Sequence, residues 1–234
     1  MNQSSKEEYI ERLFSSIAPR YDLLNSVLSF NRHKYWRAFA VEKCRLSLGD
    51  RALDVCTGTL DLAIGLSEIV GPSGSVLGVD FCRPMLEIGQ RKLAARGIQN
   101  VSVAEENVEH LSVPSNSFDA ATIGFALRNV ENVENTLVEM TRAVKPGGRV
   151  VSLELAQPQG AIFRHIYGLY SRLLPFIGGV LSGSKESYAY LPASVKRFYS
   201  REELAAIMAK VGLTDIEVYN LTAGIATVHV GIKG

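Results

Sequence analysis

The stretch Leu53-Asp54-Val55-Cys56-Thr57-Gly58-Thr59-Leu60-Asp61 crowds carboxylates and hydroxyls around a single glycine, directly after a short apolar run. The next apolar run ends in Gly78-Val79-Asp80, where an acidic side chain suits the paired hydroxyls of a ribose. A third is followed by Asn107, whose amide oxygen can accept from the amino group of an adenine. A nicotinamide dinucleotide would require GxGxxG, so that backbone amides approach its pyrophosphate, and this loop has only Gly58. No GxxxxGK phosphate loop occurs elsewhere. A ligand with a ribose and no phosphate fits better, S-adenosylmethionine being the common one. A tight strand-to-helix turn without a ligand is the alternative.

Arg128 and Asn129 follow Gly124-Phe125-Ala126-Leu127 at the end of another apolar run. Polar groups there suit a ligand site; otherwise Asn129 caps a helix and Arg128 lies on the surface. His33, His110, His165 and His229 form no ligand-spaced cluster, and Cys44, Cys56 and Cys82 form no CxxC pair. Neither a metal site nor a disulfide framework is expected.

The elements that must gather these residues are legible in the hydropathy pattern. Runs at 52–55, 76–79, 101–104, 118–125 and 149–155 read as strands, separated by helical patterns near 61–69, 84–96 and 132–144. This alternation predicts an α/β fold, a parallel sheet covered on both faces with its ligands at the carboxyl ends of the strands. Lys145-Pro146-Gly147-Gly148 is expected to stop a helix and turn the chain before the fifth strand. Residues 1–48 read as helical. Ile10, Leu13, Phe14 and Ile17 recur at helix spacing until Pro19, and a second helix covers roughly 34–47 around Trp36, Phe39 and Val41. A polar and aromatic connection, 20–33, lies between them. Residues 155–185 hold no acidic side chain, and Ile162, Phe163, Ile166, Tyr167 and Tyr170 follow helical spacing, as a lid or as a core helix. A last helix is expected at about 201–211, before facing strands at 215–219 and 225–232.

Lys and Arg total 25 against 24 Asp and Glu, a net charge of +1, which excludes a basic nucleic-acid binder and an acidic disordered chain. Hydrophobic residues make up 47% and charged ones 21%, and much of the apolar surplus lies in 155–185 beside Arg164, Arg172 and Lys185. That pattern suits a face resting on an anionic membrane surface. The longest apolar run, 173–181, is too short to span a bilayer and contains Pro175. Lys6, Glu7, Glu8, Glu11 and Arg12 do not fit a secretory signal, so a cytoplasmic location is expected, with or without membrane association.

The series Leu53-Asp54-Val55, Gly58-Thr59, Gly78-Val79-Asp80, Asn116-Ser117-Phe118-Asp119, Leu127-Arg128-Asn129-Val130 and Lys145-Pro146-Gly147-Gly148-Arg149 resembles a class I S-adenosylmethionine-dependent methyltransferase. More narrowly it resembles the quinone C-methyltransferases of menaquinone and ubiquinone biosynthesis. Ile17-Ala18-Pro19-Arg20-Tyr21-Asp22-Leu23-Leu24-Asn25, Tyr188-Ala189-Tyr190-Leu191, Arg197-Phe198 and Asn220-Leu221-Thr222-Ala223-Gly224-Ile225 carry the narrower match. Arg32-His33-Lys34-Tyr35-Trp36-Arg37 leans toward the demethylmenaquinone branch.

The resemblance implies a Rossmann-like seven-stranded sheet whose last strand is antiparallel. It implies a helical cap over 1–48 and a methyltransferase domain over 49–234 with a helical lid insertion near 156–200, in one structural unit. The implied reaction carries a methyl group from S-adenosylmethionine to a ring carbon of demethylmenaquinol. Methylation of a polyprenyl-benzoquinol, or cofactor binding without turnover, are the alternatives. Asp54, Gly58, Thr59, Asp61, Asp80, Asn107, the Val108 backbone and Gly124 would hold the cofactor, with Asp80 at the ribose and Asn107 and Val108 at the adenine edge. Tyr21, His33, Arg128 and Asn129 would face methyl transfer. In that arrangement Tyr21 closes over the methionine end, Arg128 and Asn129 serve a phenolate oxygen, and His33 accepts a proton or packs beside Trp36. Tyr188, Tyr190 and Arg197 would line the quinone pocket. The implied partner is a prenylated quinol, with neither nucleic acid nor metal, and a homodimer is left open. The family's usual loop has a second glycine where this chain has Leu60, a residue that enters left-handed backbone only at a cost. Leu60→Gly is therefore expected to bind the cofactor at least as tightly.

Overall fold

The computed structural model describes residues 3–158, Gly160, Gly168 and 185–234, with 3–5 and 185–189 described by backbone alone. Most of the expected lid at 155–185 lies outside the described residues. The chain begins with α1 (Gln3–Ile17), a 3-10 turn (Ala18–Arg20), α2 (Tyr21–Leu28) and α3 (Arg32–Lys43). Pro19 does not open a connecting loop, because it sits in the first turn of the 3-10 segment, where a missing N–H costs nothing. Most of the expected 20–33 connection is therefore helix. Phe30 and Asn31, both in left-handed backbone, make the break before α3.

Alternation then follows as β1 (Arg51–Val55), α4 (Asp61–Val70), β2 (Ser75–Asp80), α5 (Arg83–Arg96), β3 (Val101–Glu105), β4 (Phe118–Gly124), α6 (Val133–Ala143) and β5 (Val144–Leu155). After the undescribed segment come α7 (Lys185–Arg197), α8 (Arg201–Lys210), β6 (Leu213–Leu221) and β7 (Ala226–Lys233). The seven strands form one sheet in the order β3-β2-β1-β4-β5-β7-β6. The first five are parallel, and β7 runs antiparallel between β5 and β6.

Helices on both faces explain why β1 is apolar without alternation: Ala52 joins one core and Leu53 and Val55 the other. One core packs Trp36, Leu66 and Val70 against Leu153 and Val228, and the other packs Leu137, Met140, Leu204 and Met208 against Leu53 and Ile123. Lys145-Pro146-Gly147-Gly148 does not precede the fifth strand. Phe118 pairs with Val144 and Ala120 with Arg149, so the tetrapeptide is a bulge inside β5. Gly148 is needed there because a Cβ would lie 2.6 Å from the Asp119 carbonyl. The N-terminal helices reach the carboxyl ends of the strands. Ala18 packs on Cys82 and Met85, Lys6 donates to the Val130 carbonyl at 2.5 Å, and Trp36 Nε1 donates to Thr222 Oγ1 at 2.8 Å.

Candidate active site at the carboxyl ends of the strands

Strand order reverses between β1 and β4, so a crevice opens at their carboxyl ends. Cys56 and Phe125, each the first residue after its strand, both have positive φ, 52° and 58°. Such strain concentrates where a fold holds a functional site. The crevice is a narrow polar cleft walled by Tyr21, Arg37, Thr57, Gly58, Asp61 and Gly124. Gly124 has no Cβ because Leu62 Cδ1 lies 2.5 Å from where one would be.

Asp80 ends β2 behind Gly58 and accepts from the Gly58 amide at 2.8 Å and the Cys82 amide at 2.9 Å. Burial pushes its carboxyl up to about 6 against the lowering effect of these backbone bonds. Asp54 differs. Its oxygens accept from Thr57 Oγ1 at 2.5 Å and Thr122 Oγ1 at 2.6 Å, and burial holds it at about 6. Asp54 therefore braces the loop through these bonds while it also lines the cleft. Asn107 is exposed; its amide oxygen accepts from the Glu109 amide at 2.9 Å, which leaves a second lone pair, and its Nδ2 donates to Glu7. Val108 is buried in the core beside it.

Thr59 and Asp61 belong to a network that closes α2 onto the loop. Thr59 Oγ1 donates to Asp22 at 2.6 Å, and Lys92 pairs with Asp22 at 3.0 Å and with Asp61. Arg37 Nη1 lies 3.2 Å from the other Asp61 oxygen. Burial raises the Asp61 carboxyl, but the Arg37 and Lys92 charges outweigh it and hold the group below the usual range. Lys92 was not legible as a site residue, since nothing local on its helix marks it. Leu60 adopts left-handed backbone, φ 68°, and is fully buried. Its side chain fills the space over Gly78 and Gly89, whose added Cβ atoms would lie 2.9 and 2.4 Å from it.

Beside the cleft is an apolar cavity of about 140 Å³ roofed by α1 and α2. Tyr21 lines both spaces and so forms the wall between them. Arg128 borders the cavity and is no surface residue: its side chain is 7% exposed, and Nη1 donates to Glu154 Oε2 at 2.7 Å. Glu154, at the end of β5 and 1% exposed, was missed, although a lone acid closing an apolar strand was a readable signal. Asn129 does not cap a helix. Asn132 does so, accepting from the Asn135 amide, while Asn129 Oδ1 accepts from the Tyr190 hydroxyl at 3.0 Å.

Tyr190 lines the cavity, but Arg197 is exposed on a second groove that shares Arg128 and Tyr190 as its wall. The expectation for the Tyr188 side chain lies outside the described residues. His33 is buried against the cavity, its Nδ1 2.7 Å from Ser29 Oγ. Burial and the Arg37 charge lower its pKa to about 4, which makes it a weak proton acceptor and favours the packing alternative over the base. Among the described residues no cluster of His, Cys, Asp and Glu could hold a metal.

The same architecture occurs in solved methyltransferases. A SAM-dependent methyltransferase from Thermotoga maritima superposes with a TM-score of 0.67 at 22% identity, covering 95% of this chain and 99% of the other. One from Aquifex aeolicus gives 0.63 at 18% identity, covering 85% and 89%. The fold is thus that of the S-adenosylmethionine-dependent methyltransferases. In sequence, the demethylmenaquinone methyltransferase of Geobacillus kaustophilus is 46% identical over 98% of each chain. That of Anoxybacillus flavithermus is 44% identical over 99% of this chain and 98% of its own. The ubiE/COQ5 methyltransferase family matches residues 2–233, and the chain belongs to that family.

Proposed function

We propose that the protein transfers a methyl group from S-adenosylmethionine to a ring carbon of demethylmenaquinol. The observation that carries this reading is the Tyr21 wall, across which an apolar cavity suited to a flat hydrocarbon ring adjoins a polar cleft suited to a nucleoside. The names of the relatives favour a naphthoquinol over a benzoquinol.

Asp80, whose buried carboxylate has only backbone partners, is assigned to the ribose hydroxyls, with Gly58, Thr59, Asp61 and Gly124 along the rest of the cofactor. The Val108 backbone is assigned to the adenine side. When bound, S-adenosylmethionine supplies an electrophilic methyl on a sulfonium. The hydroxyl beside the attacked carbon loses its proton and places electron density on that carbon. The ring C–H proton leaves after the new C–C bond forms and the hydroxyl is restored, so each turnover releases one proton. Arg128, held by Glu154, stabilises the ring oxyanion in an apolar cavity. Asn129 and Tyr190 brace the same side. Residues 1–48 serve as a cap whose closure through Asp22 and Lys92 sets the ring against the cleft.

Among the described residues no helix is long and apolar enough to cross a membrane. Leu23 and Val27, 58% and 42% exposed on the outer face of α2, are assigned to peripheral contact with the bilayer that holds prenylated quinols. Vesicle flotation tests this contact, and equal recovery of wild type and Leu23→Ser would remove it. Methyl-labelled S-adenosylmethionine, incubated with reduced short-tail demethylmenaquinone and with a short-tail benzoquinol, tests the reaction. Faster labelling of the naphthoquinol is expected. Label only in the benzoquinol supports the other substrate, and binding without turnover ends the enzymatic reading.

A further inference from the structure

The α2 side chains that border the apolar cavity recur at helix spacing: Tyr21, Leu24, Asn25 and Leu28. Asn25 is the one amide in this stripe, and its Nδ2 is buried without a hydrogen-bond partner. An orphaned buried donor is unfavourable, so one kept on a cavity wall points to an acceptor that arrives with a ligand.

His33 borders the same cavity from α3. A relay fixes its tautomer. Ser29 Oγ donates to the Asn25 carbonyl at 2.6 Å, which occupies its hydroxyl proton. The 2.7 Å contact between Ser29 Oγ and His33 Nδ1 therefore has Nδ1–H as donor. The neutral ring keeps the lone pair on Nε2, which meets no protein donor among the described residues. With its pKa lowered to about 4 by burial and the Arg37 charge, this ring accepts a hydrogen bond without taking the proton. Arg128, on the loop after β4, brings to the cavity a buried Nε that also lacks a partner.

We infer that Asn25 and His33 together grip one hydroxyl of a ring diol on the cap side of the cavity, while the second ring oxygen lies beside Arg128. Asn25 Nδ2 donates to the gripped oxygen, and His33 Nε2 accepts its O–H. This rests on the quinol reading above and adds to it a reason for regioselectivity. The hydroxyl between Asn25 and His33 stays protonated, and the one beside the guanidinium ionises. Electron density then falls on the ring carbon next to the Arg128 oxygen, and that carbon is methylated.

Trp36, the single tryptophan of the chain, lines this cavity, so its fluorescence reads occupancy without turnover. The probes are a short-tail 2-alkylnaphthalene-1,4-diol, kept reduced, and the matching naphthol that lacks the hydroxyl adjacent to the alkyl chain. Wild type is expected to prefer the diol by about five- to tenfold, the effect of a satisfied buried hydroxyl. Asn25→Leu is expected to lose most of that preference while binding the naphthol as before. Ser29→Ala, which releases the tautomer, reduces the preference as well and serves as the second variant should Asn25→Leu not fold. His33→Gln, which keeps an acceptor, retains part of it. Equal losses for both ligands in the variants, or no preference in wild type, would overturn the inference. The predicted binding pattern without methylated product would instead overturn the methylation reading and leave the grip standing.

Discussion

Replacing Leu60 by glycine separates two views of the cofactor loop. If Leu60 is a misfit in left-handed backbone, the exchange relieves about 1–2 kcal/mol of strain. The structure makes Leu60 a plug as well, fully buried over Gly78 and Gly89. Removing such a side chain costs about 2–5 kcal/mol, because facing glycines cannot fill the void, and the added chain freedom costs about 0.5–1 kcal/mol more. The net expectation is a loss of about 2 kcal/mol, a fall in Tm of about 4–8 °C for a chain of this size. Urea unfolding gives the same quantity if m is unchanged. Gly89→Ala supplies the internal check. Its Cβ would lie 2.4 Å from Leu60 Cγ, so alone it overpacks and destabilises. With Leu60→Gly the same Cβ enters vacated space and adds about 1 kcal/mol of helix propensity, so the double variant is more stable than Leu60→Gly. S-adenosylmethionine affinity is expected to fall with the loop's anchor, whereas counting glycines alone predicts no loss. A Leu60→Gly protein as stable as wild type, or a Gly89→Ala effect identical in both backgrounds, would refute this account.

Lys92→Met cuts the tie from α5 to Asp22 and Asp61, a pair about one-fifth to two-fifths exposed, so a loss of about 1–2 kcal/mol is expected in thermal unfolding. An unchanged Tm would show the network idle. Glu154→Gln leaves the Arg128 guanidinium buried beside a neutral amide; kcat is expected to fall about tenfold or more with little change in the KM for S-adenosylmethionine. Equal effects on both constants would make Glu154 merely structural. Asp80, raised to about 6 by burial, must be ionised to accept both ribose hydroxyls. Cofactor affinity should thus be level above about pH 7 and fall toward tenfold per unit below about pH 6. Titration calorimetry showing a flat profile from pH 5 to 8 would remove Asp80 from the site.

What could be read in advance follows the range of each interaction. The β1 to β5 alternation was legible because periodicity acts within a few residues. Asp80 is proposed for the ribose from its position after a strand, where topology opens the crevice. Lys92 escaped notice because its partner Asp22 lies 70 positions away, and α5 carries no local trace of that pairing. Asn107 and Asp54 look like ligands in one dimension. Only the fold shows the local bonds that their oxygens also make, to Glu109, Thr57 and Thr122. The first helix ends before Pro19 as expected, but 20–33 read as a connection because a proline that ends one helix can equally begin the next helical turn.

The central claim is carbon methylation of a quinol in the cavity beside Tyr21. Nuclear magnetic resonance of the product formed from carbon-13 methyl S-adenosylmethionine and reduced short-tail demethylmenaquinone tests it most directly. The account predicts an enriched aryl-bound methyl resonance on the ring carbon neighbouring the alkyl-bearing one. An enriched methoxy resonance would place the methyl on oxygen and contradict it.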